Sequence, residues 1–268
     1  MNQVVNVEQK ERKKASRIGE VGVNTLGSVM EIIEYRSAKE VVVRFKESKY
    51  ETTASYNQFR IGKVKCPYDK SIYGRAYLGE GDYKVRDENG KITIAYRYWY
   101  SMLKRCYSNN FHNRKQKTYV GCRVADEWLC FQTFGKWFDE NYYTIDGERT
   151  ELDKDLIIPN NKLYSPDTVV FAPKRINLLI GKKTKNKGQY ACGVKYNTAT
   201  GKYGVQMSRT INGEQKVVLY GCGYKTEEEA AMIYKKVKEA YIKEVAEEYR
   251  GNIPQVLYNA LLNYKITF

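Results

Sequence analysis

Two aspartates in residues 151–177 are the first side chains in this sequence that could do chemistry. Asp153 and Asp155 lie in the run "ELDKDLIIPNN", at the start of a predicted strand. Carboxylate oxygens are preferred ligands of Mg²⁺, so this pair could hold a metal for hydrolysis. Such a site also needs a general base that takes a proton from water, and the single histidine, His112, lies far upstream. More often, an Asp-Lys-Asp run at a strand start is a solvated, self-paired edge.

The elements around these aspartates are predicted to follow the order strand, turn, strand, helix. An Asn-Asn pair marks the turn, "TVVFAP" is the second strand and "KRIN" begins the helix. Two amphipathic helices precede this ββα unit, because apolar residues recur at helical spacing. The first stripe is Trp99, Met102, Leu103 and Cys106, and the second, which follows the predicted N-cap Asp126, is Trp128, Phe131, Phe134 and Phe138. Residues 81–180 are therefore predicted to form one domain.

The N-terminal residues 1–80 are predicted to form a small β-rich domain. The runs "VMEIIEYR" (29–36) and "EVVVRFKE" (40–47) are rich in strand-forming residues, and "TTASY" and "FRIGKV" suggest further strands. An Asn-Gly pair at 89–90 lies between two alternating runs and predicts a hairpin over 83–96. The sequence does not distinguish an adaptor from a structural cap for the N-terminal domain.

The C-terminal residues 189–268 are predicted to form a three-stranded sheet covered by one long helix, with a helical tail. In "GKYGVQMSRT", Tyr203, Val205 and Met207 alternate with polar or small residues, which indicates one apolar face and one free face. Thr226 and Glu229 form a predicted capping box at the helix start. The segment "GKKTKNKG" (181–188) has four lysines in eight residues, which is typical of a flexible basic connector.

The charge balance favours a polyanionic partner. The 268-residue chain has 46 basic and 31 acidic residues, for a formal net charge of +15, and such a surplus commonly serves phosphate contacts. A merely solvated basic surface is the alternative. The six cysteines form no C-x-x-C pair, which favours free thiols in a reducing compartment. No run has the roughly 18 apolar residues of a membrane span, and no signal peptide is evident, so the prediction is a cytoplasmic protein.

Residues 190–242 resemble the plant ethylene-response-factor (APETALA-like) type of DNA-binding domain, which also occurs in phage homing endonucleases. The motifs that carry the likeness are "GVKY", "GKYGVQM" and "LYGCGYKTEEEAAMIYKKV". The resemblance implies that the exposed face of the sheet reads DNA in the major groove. It assigns DNA contacts to Lys195, Lys202, Gln206, Ser208 and Lys216. The family's arginine-rich first strand is reduced here to Lys195 with Asn197, and Leu219 replaces an aromatic residue, which implies a less specific reader.

Residues 93–180 resemble phage HNH-type proteins, through "YWYSMLKRCY", "VGCRVADEWLCFQTFGKWF" and "LDKDLIIPNNKLYSPDTVVFAPKRIN". In that family, an Asp-His pair supplies a metal ligand and the general base, an Asn orients the base, and a final His or Asn completes the metal site. Asp153 and Asn177 keep two of these positions, whereas Lys154 stands at the base and Thr168 at the orienting residue. His112 lies in the polar insert "SNNFHNRKQ", and an exposed loop histidine is the more ordinary interpretation than a rescued base.

These observations predict an α+β protein of phage or mobile-element type that binds double-stranded DNA in a sequence-tolerant way, on a degenerate and non-catalytic HNH scaffold. Phosphate contacts are expected also from the connector lysines Lys182, Lys183 and Lys185. One alternative is an active endonuclease that binds Mg²⁺ or Mn²⁺ through Asp153 and Asn177. Another is a phage counter-defence protein that binds a host enzyme. Only the endonuclease alternative needs a metal ion; if the protein is not an endonuclease, no cofactor is expected.

Overall fold

The computed structural model of this chain describes residues 17–109, 111, 119–181 and 189–266. Its contacts divide the chain into two compact units, Met1–Glu140 with Lys162–Ser165, and Asn141–Asn161 with Pro166–Phe268. Both units combine strands and helices, which confirms the predicted α+β class. None of the described helices has the length and apolarity that a membrane crossing requires.

The N-terminal sheet of the first unit is an antiparallel meander in the order β1-β2-β3-β4. The strands are β1 (Val21–Val23), β2 (Val29–Ser37), β3 (Glu40–Phe45) and β4 (Glu51–Ala54). Alternate side chains of β2 and β3 form its core, as the strand prediction requires: Met30, Ile32, Val41, Val43 and Phe45.

The segment "FRIGKV" does not form the strand that its apolar residues suggested. Helix α1 (Tyr56–Arg60) occupies its start, because Ser55 and Gln58 form a capping box in which each side chain satisfies the other residue's backbone N–H. Phe59 then packs into the core of the sheet. The capping signal, Ser followed by Gln three residues later, was present in the sequence.

The rest of the first unit is built on two helices, α2 (Ile94–Tyr107) and α3 (Phe131–Asn141), with a 3-10 helix at Asp126–Leu129 between them. Both predicted apolar stripes are buried. The indole N–H of Trp99 donates to the carbonyl of Trp128 at 2.7 Å, which joins the two stripes. Two short strands, β5 (Arg123–Val124) and β7 (Leu163–Tyr164), pair in parallel.

The hairpin predicted over 83–96 is reduced to a single bridge between Arg86 and Ile92. Asp87 closes the turn itself, since its carboxylate accepts the backbone N–H groups of Asn89 and Lys91. Thr93 caps α2 immediately afterwards, so no second strand has room to extend.

The predicted ββα unit is present in the second unit of the protein. β6 (Thr150–Asp153) pairs antiparallel with β8 (Val170–Pro173), and α4 (Lys174–Ile180) follows directly. Pro173 takes the N-cap position, where its missing N–H costs the helix nothing because the first N–H groups have no partner inside a helix. Ile176 is fully buried, so the helix packs on the strands through this face.

The C-terminal sheet has the order β11-β10-β9 and is antiparallel throughout. Its strands are β9 (Val194–Asn197), β10 (Lys202–Ile211) and β11 (Glu214–Tyr224), followed by α5 (Glu227–Glu248) and α6 (Gln255–Leu262). The hydroxyl of Thr226 accepts the N–H of Glu229 at 3.2 Å, as the predicted N-cap requires. Val205 and Met207 are buried in one cluster with Ala172 and Ile176. The ββα unit and the sheet therefore share a core, although the sequence suggested a boundary at 181–188.

Gly193 fixes the approach of β9 to helix α5. Its φ is +80°, and a Cβ at this position would overlap the ring of Tyr234. Gly213 is a matched control, because its φ is +79° and no atom lies within 4 Å of the point that its Cβ would take. Both alanine substitutions strain the backbone, but only Gly193→Ala also overpacks the core. We expect Gly193→Ala to lower the free energy of unfolding by about 2 kcal/mol more than Gly213→Ala.

Urea unfolding followed by two signals tests this expectation. The three tryptophans, Trp99, Trp128 and Trp137, all lie in the first unit, so tryptophan fluorescence reports that unit and far-ultraviolet circular dichroism reports both. The loss of stability caused by Gly193→Ala should lower the urea midpoint measured by circular dichroism and leave the midpoint measured by tryptophan fluorescence unchanged. Equal losses for the two variants would show that Tyr234 does not constrain this position.

Candidate nucleic-acid interface

The register of the C-terminal sheet defines which residues share its uncovered face. Directly opposed residues on antiparallel strands project to the same side. Gly204 pairs with Lys195, Lys202 with Asn197, Gln206 with Leu219 and Ser208 with Val217. Val205 and Met207, on the other side, are buried beneath α5. We call the uncovered side the open face; it carries four of the predicted DNA contacts, Lys195, Lys202, Gln206 and Ser208.

Lys216 is the exception, and its predicted place on the open face is wrong. It pairs with Arg209, which projects toward α5 and holds its guanidinium 4.3 Å from the centre of the Tyr241 ring. The cause is the two-residue turn Asn212-Gly213, in which both residues have positive φ. This turn pairs Ile211 with Glu214 and so fixes the register of the hairpin. The Asn-Gly signal was in the sequence.

The open face also carries apolar side chains that the sequence analysis did not assign. Val217 and Leu219 are each 65% exposed, on β11 opposite Ser208 and Gln206. An apolar side chain in the major groove can contact the methyl group of thymine. The open face therefore combines lysines, a short apolar strip and the amides of Asn197, Gln206 and Gln215.

The two faces of the C-terminal sheet differ in charge. Glu214 is the only carboxylate in the three strands, and it lies on the α5 side, 3.2 Å from the ammonium of Lys216. Arg209 pairs with Glu244 of α5. Within the described residues, Lys195 and Lys202 have no ion-pair partner, so the open face keeps its positive charge available.

Four residues named in the sequence analysis lie outside the part of the chain that the structure describes. They are His112, Lys182, Lys183 and Lys185.

Asp153, at the end of β6, organises the loop that follows it. One carboxylate oxygen, Oδ1, accepts the backbone N–H groups of Asp155 at 2.7 Å and Leu156 at 2.9 Å. Burial raises the pKa of the Asp153 carboxyl, against the lowering effect of these two donors. The arrangement is that of an aspartate which fixes a turn.

Lys154 holds the two ends of the same loop together through its side chain. It is 5% exposed, and its ammonium donates to the carboxylate of Asp155 and to the carbonyl of Asn161, both at 2.7 Å. The amide of Asn161 returns a hydrogen bond to the carbonyl of Lys154 at 3.1 Å. An ammonium that donates in this way has no lone pair with which to accept a proton from water. The Asp-Lys-Asp run is therefore self-paired, as the structural alternative predicted, but its lysine is buried rather than solvated.

Asn177, in the second turn of α4, is hydrogen-bonded to β6 at a residue that the sequence analysis did not name. Its amide donates to the carboxylate of Glu151 at 2.5 Å, and Glu151 lies two residues before Asp153 on the same side of the strand. No hydrogen bond joins Asn177 to Asp153 among the described residues. Thr168 lies two residues before β8, half-buried. Nowhere in the described ranges do three or more His, Cys, Asp or Glu side chains form a group able to hold a metal ion.

Comparisons with protein-family models, with curated proteins and with solved structures found no match to this chain. The likeness to the ethylene-response-factor and HNH families therefore stays a prediction from the quoted motifs, and the function has to be argued from the residues.

Proposed function

We propose that this protein binds duplex DNA through the open face of its C-terminal sheet, on a ββα scaffold that does no nuclease chemistry. The observation that carries the proposal is the segregation of charge across the sheet. Among the described residues Lys195 and Lys202 have no ion-pair partner, and the strands carry no carboxylate on their face, while the acidic side chains of α5 lie on the other side. An unpaired positive surface of this kind is suited to phosphate contacts.

Beyond the end of β9, strands β10 and β11 continue as a two-stranded ribbon that carries Gln206 and Ser208. The major groove of DNA is about 12 Å wide and admits a β-ribbon, and strands that enter it present alternate side chains to the bases. Gln206 has an amide that can bond adenine bidentately, and Val217 and Leu219 can contact thymine methyl groups. With no arginine on this face to bond guanine bidentately, most of the affinity is expected to come from phosphates. The proposed binding is therefore tolerant of sequence.

Two lysines of the same hairpin provide a matched test of the reading face. Lys202 lies on the open face and Lys216 on the covered one. We expect Lys202→Ala to weaken binding to all duplexes by a similar factor, about three- to tenfold, because it removes a phosphate contact. Lys216→Ala should bind as the unaltered protein does. Fluorescence anisotropy with labelled duplexes of different sequence measures both.

Gln206→Ala separates base reading from phosphate binding in the same assay. We expect it to relax the preference at one base pair, by about 1–3 kcal/mol, with little change on other sequences. If the Lys202 and Lys216 variants lose affinity equally, the binding is a general effect of charge. If neither Lys202→Ala nor Gln206→Ala changes binding while the fold is intact, the sheet is not the reader.

A further inference from the structure

Helix α2 in the first unit presents an outward surface of cations and tyrosine. Arg97, Tyr100 and Lys104 follow one another at helical spacings of three and four residues, so they share one face of the helix. Both cations are exposed, and Tyr100 is 40% exposed. The helix, "IAYRYWYSMLKRCY", contains no acidic residue. Within the described residues neither Arg97 nor Lys104 has an ion-pair partner.

A strained turn holds a second tyrosine against this surface. Tyr73 has a φ of +53° and is followed by Gly74 with a φ of +67°, in a turn closed by hydrogen bonds between Ile72 and Ala76. Positive φ at both central positions normally calls for Asn or Gly. A bulky residue there carries a cost of about 1–3 kcal/mol that persists only where the surroundings impose it.

The side chains of this turn lie along α2. The rings of Tyr73 and Tyr100 are 5.7 Å apart between centres, and burial together with a hydrogen bond to Tyr100 raises the pKa of the Tyr73 hydroxyl. One turn earlier on α2, the ring of Tyr96 stacks near-parallel to that of Tyr100, with ring centres 5.9 Å apart. Arg75 places its guanidinium 5.1 Å from the centre of the Tyr107 ring, further along the same helix. The result is a row of four tyrosines edged by three cations, in which Tyr100 is exposed and Tyr73, Tyr96 and Tyr107 are half-buried.

We propose that this tyrosine row, formed by Tyr73, Tyr96, Tyr100 and Tyr107, binds single-stranded nucleic acid, with an unpaired base stacked on the exposed ring of Tyr100. Exposed aromatic rings beside cations bind single strands, because bases stack on the rings while the cations contact the phosphates. A duplex would not use the row in this way, since its bases are already stacked. The cations flank Tyr100 by about one helical turn on each side, roughly 5 Å, so phosphate and base contacts can be made by the same short stretch of strand.

The row explains features that packing alone leaves without a reason. At position 73, tyrosine strains the backbone more than the asparagine or glycine that the turn favours. The exposed part of the Tyr100 ring makes no contribution to the core. The inference does not depend on the proposed duplex-binding function, because every residue of the row lies in the first unit and the open face lies in the second.

A labelled oligothymidylate, which has no base-paired structure, is the probe for this surface, with a duplex of equal length as comparison. We expect Tyr100→Leu in the full chain to lower affinity for the single strand about tenfold and to leave affinity for the duplex unchanged. Tyr68→Leu is the matched control. Tyr68 is 39% exposed in the same unit, but its hydroxyl donates to the carboxylate of Glu80 at 2.9 Å, so it should not attract a polyanion.

The charge of the surface is tested separately by the double variant Arg97→Gln with Lys104→Gln, whose side chains are exposed. For two phosphate contacts, the slope of log affinity against log salt should become shallower by about 1.4 with the single strand. Tryptophan fluorescence checks that the first unit stays folded, since Trp99 lies on the same helix.

Unchanged single-strand affinity in both the Tyr100 and the charge variants would overturn the proposal. So would equal losses for Tyr100→Leu and Tyr68→Leu, or equal losses of the charge variant on single strand and duplex. In these cases the effect would be general rather than specific to the row.

Discussion

Raising the salt concentration from about 50 to about 200 mM is expected to lower the affinity for duplex DNA by roughly 250- to 1,000-fold. This corresponds to about five phosphate contacts and a slope of log affinity against log salt of about −4 to −5. The physical reason is counterion release, which is large for a chain of net charge +15 whose open face carries Lys195 and Lys202. Anisotropy titrations at four salt concentrations give the slope.

The slope can be assigned to particular side chains. Lys195→Ala with Lys202→Ala removes two cations from the open face, and the slope should become shallower by about 1.8. Lys216→Ala should leave it unchanged, because Lys216 lies on the covered side next to Glu214. An affinity that is absent, or that does not change over this range of salt, would exclude duplex binding as the function.

The two faces of the C-terminal sheet could be predicted from the sequence because alternation is a local pattern. Tyr203, Val205 and Met207 have the period of two that a half-covered strand requires, and the structure covers this side with α5. Lys216 was misplaced because its face depends on the pairing between strands rather than on one strand. The Asn212-Gly213 turn determines that pairing, so the face of Lys216 follows from the hairpin and not from its own strand.

The order of elements in the ββα unit could also be predicted from the sequence. The hydrogen-bond partners of its side chains could not. The order of strand, turn, strand and helix follows from local residues, and β6, β8 and α4 follow that order. By contrast, the bond from Asn177 to Glu151 spans 26 positions, and that between Lys154 and Asn161 depends on the path of the loop. Neither partner can be read from spacing, because each requires the chain to return to the strand in three dimensions.

We expect the purified protein to show no nicking of supercoiled plasmid with Mg²⁺ or Mn²⁺. General-base catalysis contributes about 10²- to 10⁴-fold, and the position where the HNH resemblance expects the base holds Lys154. Its ammonium is buried and donates to Asp155 and to the carbonyl of Asn161. While it is charged and held in this way, it cannot accept a proton from an attacking water. The assay is gel electrophoresis of the plasmid over several hours at neutral pH.

The control for this assay has to remove the charge of Asp153 without opening the loop. Asp153→Ala would delete the acceptor of two backbone N–H groups, and any loss of activity could then come from unfolding. Asp153→Asn keeps an oxygen at the same place and removes the charge that a divalent metal needs. Metal-dependent nicking by the unaltered protein that Asp153→Asn abolishes would establish an endonuclease with a base other than Lys154. Nicking that is equal in both would come from a contaminating enzyme, because a metal site of the HNH type on this strand depends on the charge of Asp153.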